Sequence, residues 1–132
     1  MSSVLFTSLS GLLTQGKRLQ VSAENVANLR SLGHAQNAQG EDNGGFVPHR
    51  LEQISTAQGG VRGRVVAIDP ASVPVFQPDH SQADEGGFVP RPNVELEQEF
   101  VTQIIARRAY QASIKMIEVE DERLRYLNDI LT

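Results

Sequence analysis

Cysteine is absent from this 132-residue chain, which excludes thiolate catalysis, disulfide bridges and cysteine-ligated metals while leaving the redox compartment open. Tryptophan is absent too, and aromatic residues make up only 5% of a sequence that is 39% hydrophobic. A dense globular core is therefore not the expected architecture. No segment approaches the roughly 20 consecutive apolar residues that span a bilayer, so direct membrane insertion is not expected. The N-terminal residues lack a basic leader, and Ser8, Ser10 and Gly11 interrupt what would be the apolar core of a secretory signal. Export from the cytoplasm is expected to proceed, if at all, with this segment retained.

Chemistry-bearing patterns are equally sparse. His34, His49 and His80 are far apart in sequence and none forms the i, i+4 pair of a helical metal site. Asp79, His80, Asp84 and Glu85 form an acidic stretch that reads as a solvated loop rather than a cation site. The Gly-Gly pairs lack the spacing of phosphate-cradling loops, and no serine, histidine and acid stand in a nucleophile motif. Neither an enzyme nor a cofactor or metal is expected. Arg107 and Arg108 beside Tyr110 offer stacking on nucleic acid, but a net charge of −4 favours ion pairs with acids on neighbouring helices instead.

Two apolar stripes with helical spacing occupy the ends of the chain. Leu5, Leu12, Leu19 and Val26 recur every seven residues, flanked by Leu9 and Ala23. Phe100, Ile104, Tyr110, Ile114, Ile117, Leu124, Leu127 and Leu131 form the second stripe. The spacing predicts helices over about Ser3–Asn28 and Val94–Ile130, roughly 40 and 55 Å long. Ser2 or Ser3 is expected to cap the first, which should end before Gly33. Asn93 is expected to cap the second, with Glu95 and Glu97 at its positive end. Residues 1–32 carry three basic residues against Glu24, whereas the segment from Val94 onward carries eight acidic residues against five basic ones. Opposite signs favour pairing of the two helices, within a chain or between chains. Gly11 and Gly16, each unfavourable by about 1 kcal/mol inside a helix, share a low-relief strip with Ser8, Gln15 and Ser22. Either another backbone approaches there or the helix is weak or kinked.

Between the helices, Leu51–Thr56 and Val61–Ile68 flank Gln58-Gly59-Gly60 and predict a β-hairpin. Gly44-Gly45-Phe46-Val47-Pro48 recurs as Gly86-Gly87-Phe88-Val89-Pro90, each copy read as a bend with its Phe and Val packed inward. Pro70, Pro74 and Pro78 are expected to prevent regular structure, and the polar stretch 33–45 to be mobile. The expected fold class is mainly α with a small β part. It comprises an N-terminal assembly helix (1–32), a central β-hairpin/loop segment (33–92) and a C-terminal assembly helix (93–132), with the helices pairing as a coiled-coil-like layer.

Leu19-Gln20-Val21-Ser22-Ala23-Glu24-Asn25-Val26-Ala27-Asn28 resembles the N-terminal signature of bacterial flagellar axial proteins. Asn93-Val94-Glu95-Leu96-Glu97-Gln98-Glu99-Phe100 with Arg108-Ala109-Tyr110-Gln111-Ala112-Ser113 resembles their C-terminal signature. Gly59-Gly60-Val61, Asp69-Pro70, Val75 to His80 and Gly87-Phe88-Val89 are similar to the order of elements in the short proximal-rod class of that family. Hook and distal-rod members continue the first motif with Thr-Pro-Gly-Tyr, where this chain has Leu29-Arg30-Ser31-Leu32-Gly33.

The resemblance implies a structural subunit of the basal-body rod, a periplasm-spanning tube that transmits motor torque to the hook. Its implied partners are copies of itself, other rod subunits and the type III export apparatus, which passes it unfolded and without a cleaved signal. The residues expected to carry assembly are Leu5, Leu9, Leu12, Leu19, Ser22, Asn25, Val26, Ala27, Asn28, Tyr110, Gln111, Ala112, Ile114, Ile117, Leu124, Leu127 and Leu131. Asn25, Asn28 and Gln111 are expected either to hydrogen-bond across subunits or to bond local backbone. A self-contained helical adaptor that binds one partner helix is the alternative.

Overall fold

A computed structural model describes residues 3–32 and 45–131. The order of elements is α1 (Ser3–Ala27), β1 (His49–Ser55), β2 (Val61–Ala67), β3 (Ser72–Phe76), β4 (Phe88–Pro92) and α2 (Leu96–Leu131). This is the expected class: two long helices, with a small antiparallel β region between them. Helix α1 gives way at Ala27 to a turn in which Leu29 N–H donates to the Val26 carbonyl and Ser31 N–H to that of Asn28. The polar stretch expected to be mobile lies, apart from Gly45, outside the described residues, as do His34 and the first glycine of the Gly44–Pro48 echo.

Two compact units are assembled from non-contiguous chain. The first comprises Met1–Gln20, Leu51–Arg64 and Thr102–Thr132: the first part of α1, the turn end of the hairpin and most of α2. Gly59 and Gly60 adopt φ of +87° and +79°, which glycine reaches without strain. They close the β1–β2 turn with hydrogen bonds from Thr56 N–H to the Gly60 carbonyl and from Gly59 N–H to the Thr56 carbonyl. Gly63 sits directly against the Leu51 side chain, where a Cβ would come within 2.8 Å.

The second unit comprises Val21–Arg50 and Val65–Val101. Here the expectation of irregular structure around the prolines is corrected, because β3 and β4 pair antiparallel over Ser72↔Pro92 through Phe76↔Phe88. Gln77 N–H donates to the Gly87 carbonyl and Asn93 N–H to that of Ala71. These two bonds fix the alternation, so that Val73↔Arg91 and Val75↔Val89 are the hydrogen-bonded pairs. Pro74, Pro90 and Pro92 all fall in the other pairs, where no ladder hydrogen bond needs an N–H. Proline is thus compatible with this ribbon at each position it occupies.

Asn93 is likewise corrected as a cap. Its Nδ2 donates to the Pro70 carbonyl at 3.0 Å, which ties β4 to the segment leading into β3. Helix α2 starts three residues later, with Glu99 N–H bonded to the Glu95 carbonyl. In the second copy of the echo, Val89 is fully buried as expected. Phe88 instead is 42% exposed and meets Phe76 edge-on, with ring centroids 5.4 Å apart. Asp84 Oδ1 accepts from the N–H groups of Gly86 and Phe88, closing the turn before β4.

Candidate assembly surfaces

The α1–α2 contact is made by small and polar residues. In the first unit, a Cβ on Gly11 would lie 3.1 Å from Ser113 Oγ and one on Gly16 3.6 Å from the Tyr110 ring. Ascending α1 therefore matches descending α2, an antiparallel pairing. The strip of Ser8, Gly11, Gln15 and Gly16 is where a second helix packs, α2 of the same chain, and what meets the two glycines is the side chains of Ser113 and Tyr110. Ser8 and Gln15 are buried. Gln15 Nε2 donates to Gln53 Oε1 at 3.3 Å, and Ser10 Oγ accepts from Val61 N–H at 3.0 Å, so the hairpin is bonded to the same helix.

This geometry sets an expectation for the two helical glycines. Gly16→Ala places a methyl at ordinary contact distance from Tyr110 and should raise stability by about 1 kcal/mol through helix propensity. Gly11→Ala should gain less, because Ser113 Oγ, which donates to the Ala109 carbonyl, has to shift. Thermal denaturation of the two variants measures the difference.

In the second unit the contact is a hydrogen-bonded knot. Asn25, 1% exposed, donates through Nδ2 to Glu99 Oε1 and to the His49 carbonyl, both at 2.7 Å. Its Oδ1 accepts from His49 N–H at 3.1 Å. One amide thus holds the end of α1, the start of β1 and the first turn of α2. Ser22 adds a bond from Oγ to the Glu99 carbonyl at 3.3 Å. Asn28 works locally: its Nδ2 donates to the Glu24 carbonyl and its Oδ1 accepts from Ser31 Oγ.

The other sequence-derived assembly residues are distributed around these contacts. Leu5, Leu12, Leu19 and Val26 flank the buried strip of α1 and are half-buried, as are Tyr110 and Ile117 on α2. Leu9, Ala27, Gln111, Ala112, Ile114, Leu124, Leu127 and Leu131 are exposed. Reasoning from sequence missed the buried Glu99 and Gln53's bond to Gln15, since neither a lone acid nor a lone amide signals burial. It also passed over most of a second stripe on α2, of which it named only Ala112. Ile105, Ala112, Met116, Val119, Tyr126 and Ile130 recur with the helical period on one exposed face.

A groove of about 450 Å³ runs along the outer side of α1 against β2. Phe6, Leu9, Leu13 and Val61 give it apolar walls, and Lys17 and Arg62 stand at its rim. On α2, charged side chains pair along the helix: Lys115 with Glu118 at 2.6 Å, Arg123 with Glu120 at 2.7 Å, and Arg125 with Asp121 at 2.8 Å. The last is the i, i+4 pair expected from the sequence. Hydrogen bonding to Glu118 and Glu120 holds the Lys115 and Arg123 cations above their ordinary pKa. Among the described residues no group of three His, Asp or Glu is placed to hold a metal ion, and no helix is long and apolar enough to cross a membrane.

Known proteins share this sequence over most of its length. The chain is 37% identical over 117 residues to the flagellar basal-body rod protein FlgC of Yersinia enterocolitica, covering 82% of this chain and 81% of that protein. The chain belongs to the FlgC family of flagellar basal-body rod proteins. FlgC of Salmonella typhimurium is 34% identical over 119 residues, with the same coverage. FlgC of Aquifex aeolicus is 30% identical over 125 residues, covering 91% of this chain and 89% of that protein. Residues 85–130 match the family described as flagellar basal body rod FlgEFG protein C-terminal. That match begins before β4 and takes in nearly all of α2, the helix that carries the exposed stripe.

Proposed function

We propose that the chain is a structural, non-catalytic subunit of the flagellar basal-body rod and that it joins the rod through the outer faces of its two helices. The observation that carries the assembly role is the exposed apolar face of α2. Ile105, Val119, Tyr126 and Ile130 are each more than half exposed, although the helix's small and polar side already meets α1. Contiguous apolar surface of this kind marks an interaction site. Heterologous contacts between such faces, repeated without closing a ring, generate a tube. The self-contained adaptor is not favoured, because family membership supplies a polymerising partner set.

Other rod subunits and further copies of this chain are the partners in this reading, and the basal body is its location. Passage through the type III export apparatus with the N-terminal helix retained, and a position in the periplasm-crossing part of the shaft, complete the proposal. The lack of cysteine suits transit in an unfolded state.

Deleting the gene and restoring it with a tagged copy tests the reading. The tagged chain is expected to co-purify with isolated basal bodies and to restore swimming; its absence from basal bodies overturns the proposal. Ile105→Asp should leave the stability of the isolated chain within about 0.5 kcal/mol, as for other exposed sites, yet remove the chain from basal bodies.

A further inference from the structure

The groove on α1 and the acidic end of α2 match one another in chemistry and in length. From Phe6 to Lys17 the groove follows eleven residues of helix, roughly 17 Å. On α2, Val119, Tyr126 and Ile130 form an exposed apolar ridge over an equal number of residues. Glu118, Glu122, Arg125 and Asp129 fall on one flank of that ridge, within about 60° of one another around the helix at 100° per residue. Glu118 is paired with Lys115 and Arg125 with Asp121, so the negative excess of the flank is carried by Glu122 and Asp129. The groove has apolar walls and its two rim charges, Lys17 and Arg62, are both positive. An apolar ridge with acids along one side is therefore the complementary shape and sign.

Within the first unit this end of α2 lies clear of the groove. The Gly11–Ser113 contact and antiparallel pairing place α2 residues beyond about 120 past the start of α1 at Ser3. Every described residue from Asp121 to Leu131 is exposed. The ridge projects past one end of the helix pair and the groove lies on its side, so the two are different surfaces. A contact that joins one ridge to one groove without a twofold axis is heterologous and extends from copy to copy.

We infer that the groove of one copy receives the Val119–Ile130 ridge of a second copy, with Lys17 and Arg62 meeting Glu122 and Asp129 on its flank. This rests on the rod reading and specifies which surfaces of neighbouring copies meet.

The test uses introduced cysteines, which are the only ones in the chain. Leu13→Cys on copies with one tag and Tyr126→Cys on copies with another are co-expressed, and a short bismaleimide is added to cells and to isolated basal bodies. A two-tag adduct is expected. It should fall about tenfold with Lys17→Glu plus Arg62→Glu, and return when Glu122→Lys plus Asp129→Lys is placed on the Tyr126→Cys copies. Both tags in basal bodies without a two-tag adduct overturns the pairing and leaves the rod reading standing. An adduct formed without incorporation into basal bodies supports the pairing and overturns the rod reading, whereas neither signal overturns both. A Leu13–Leu13 adduct in place of the mixed one shows a symmetric contact, and adducts only with other rod proteins show a different occupant; each overturns the inference.

Discussion

Asn25→Ala is expected to lower the stability of the chain by about 3 kcal/mol, read as a shift in the midpoint of urea unfolding. The amide makes three hydrogen bonds, two of them to the backbone of His49 and one to the Glu99 carboxylate. Truncation leaves a donor and acceptors without partners at a site that is 1% exposed. Each orphaned buried group is unfavourable by about 1 kcal/mol or more, and the charged one by more than the neutral ones. Asn28→Ala is the control. Its bonds are local and half-exposed at the end of α1, and its loss should be within about 1 kcal/mol. Equal effects from the two substitutions would show that the buried knot does not hold these three segments together.

Gly60→Ala should be nearly as damaging, by about 3 kcal/mol, and for two separable reasons. Its φ of +79° places any L side chain in the left-handed region, unfavourable by roughly 1–2 kcal/mol. The new Cβ would also lie 2.5 Å from Ser10 Oγ, the acceptor for Val61 N–H, so the hairpin could keep its turn only by losing its bond to α1. Gly59→Ala isolates the first cause, because a Cβ there meets nothing within 4 Å, and should cost only the backbone share of about 1–2 kcal/mol. Adding Ser10→Ala to Gly60→Ala should recover part of the difference. Circular dichroism of the three variants during thermal unfolding measures it.

The long elements were legible because their signals are periodic and redundant. Leu5, Leu12, Leu19 and Val26 mark α1 however its ends fray, and the Gly59-Gly60 pair announces the hairpin by a conformation few other residues adopt. Pairing register was not legible in the same way. Whether Pro74 breaks a strand or rests in one depends on which pairs of the ladder are hydrogen-bonded, and that is decided only when Val89 is buried opposite Val75. Asn93 illustrates the same limit. An asparagine ahead of a helical pattern usually caps it, but this one serves the carbonyl of Pro70, more than twenty residues away. For the assembly surfaces, the heptad leucines drew attention to one flank of α1. The closest approach of the helices instead uses glycine, serine and amide side chains, whose small size is informative only once a second backbone is beside them.

The proline-bearing ribbon has a consequence for how this molecule avoids the wrong polymer. On the outward edge of β4, Pro90 and Pro92 have no hydrogen to offer, and the Phe88 amide is already engaged by the Asp84 carboxylate. An incoming extended segment finds no donor along that border, and on the border of β3 Pro74 interrupts the row. Sheet-to-sheet accretion, the common route to amorphous or amyloid-like deposits, is thereby blocked at this ribbon. In a chain that leaves so much hydrocarbon bare on its helices, cohesion between molecules is channelled away from backbone ladders and into side-chain contacts along the rods.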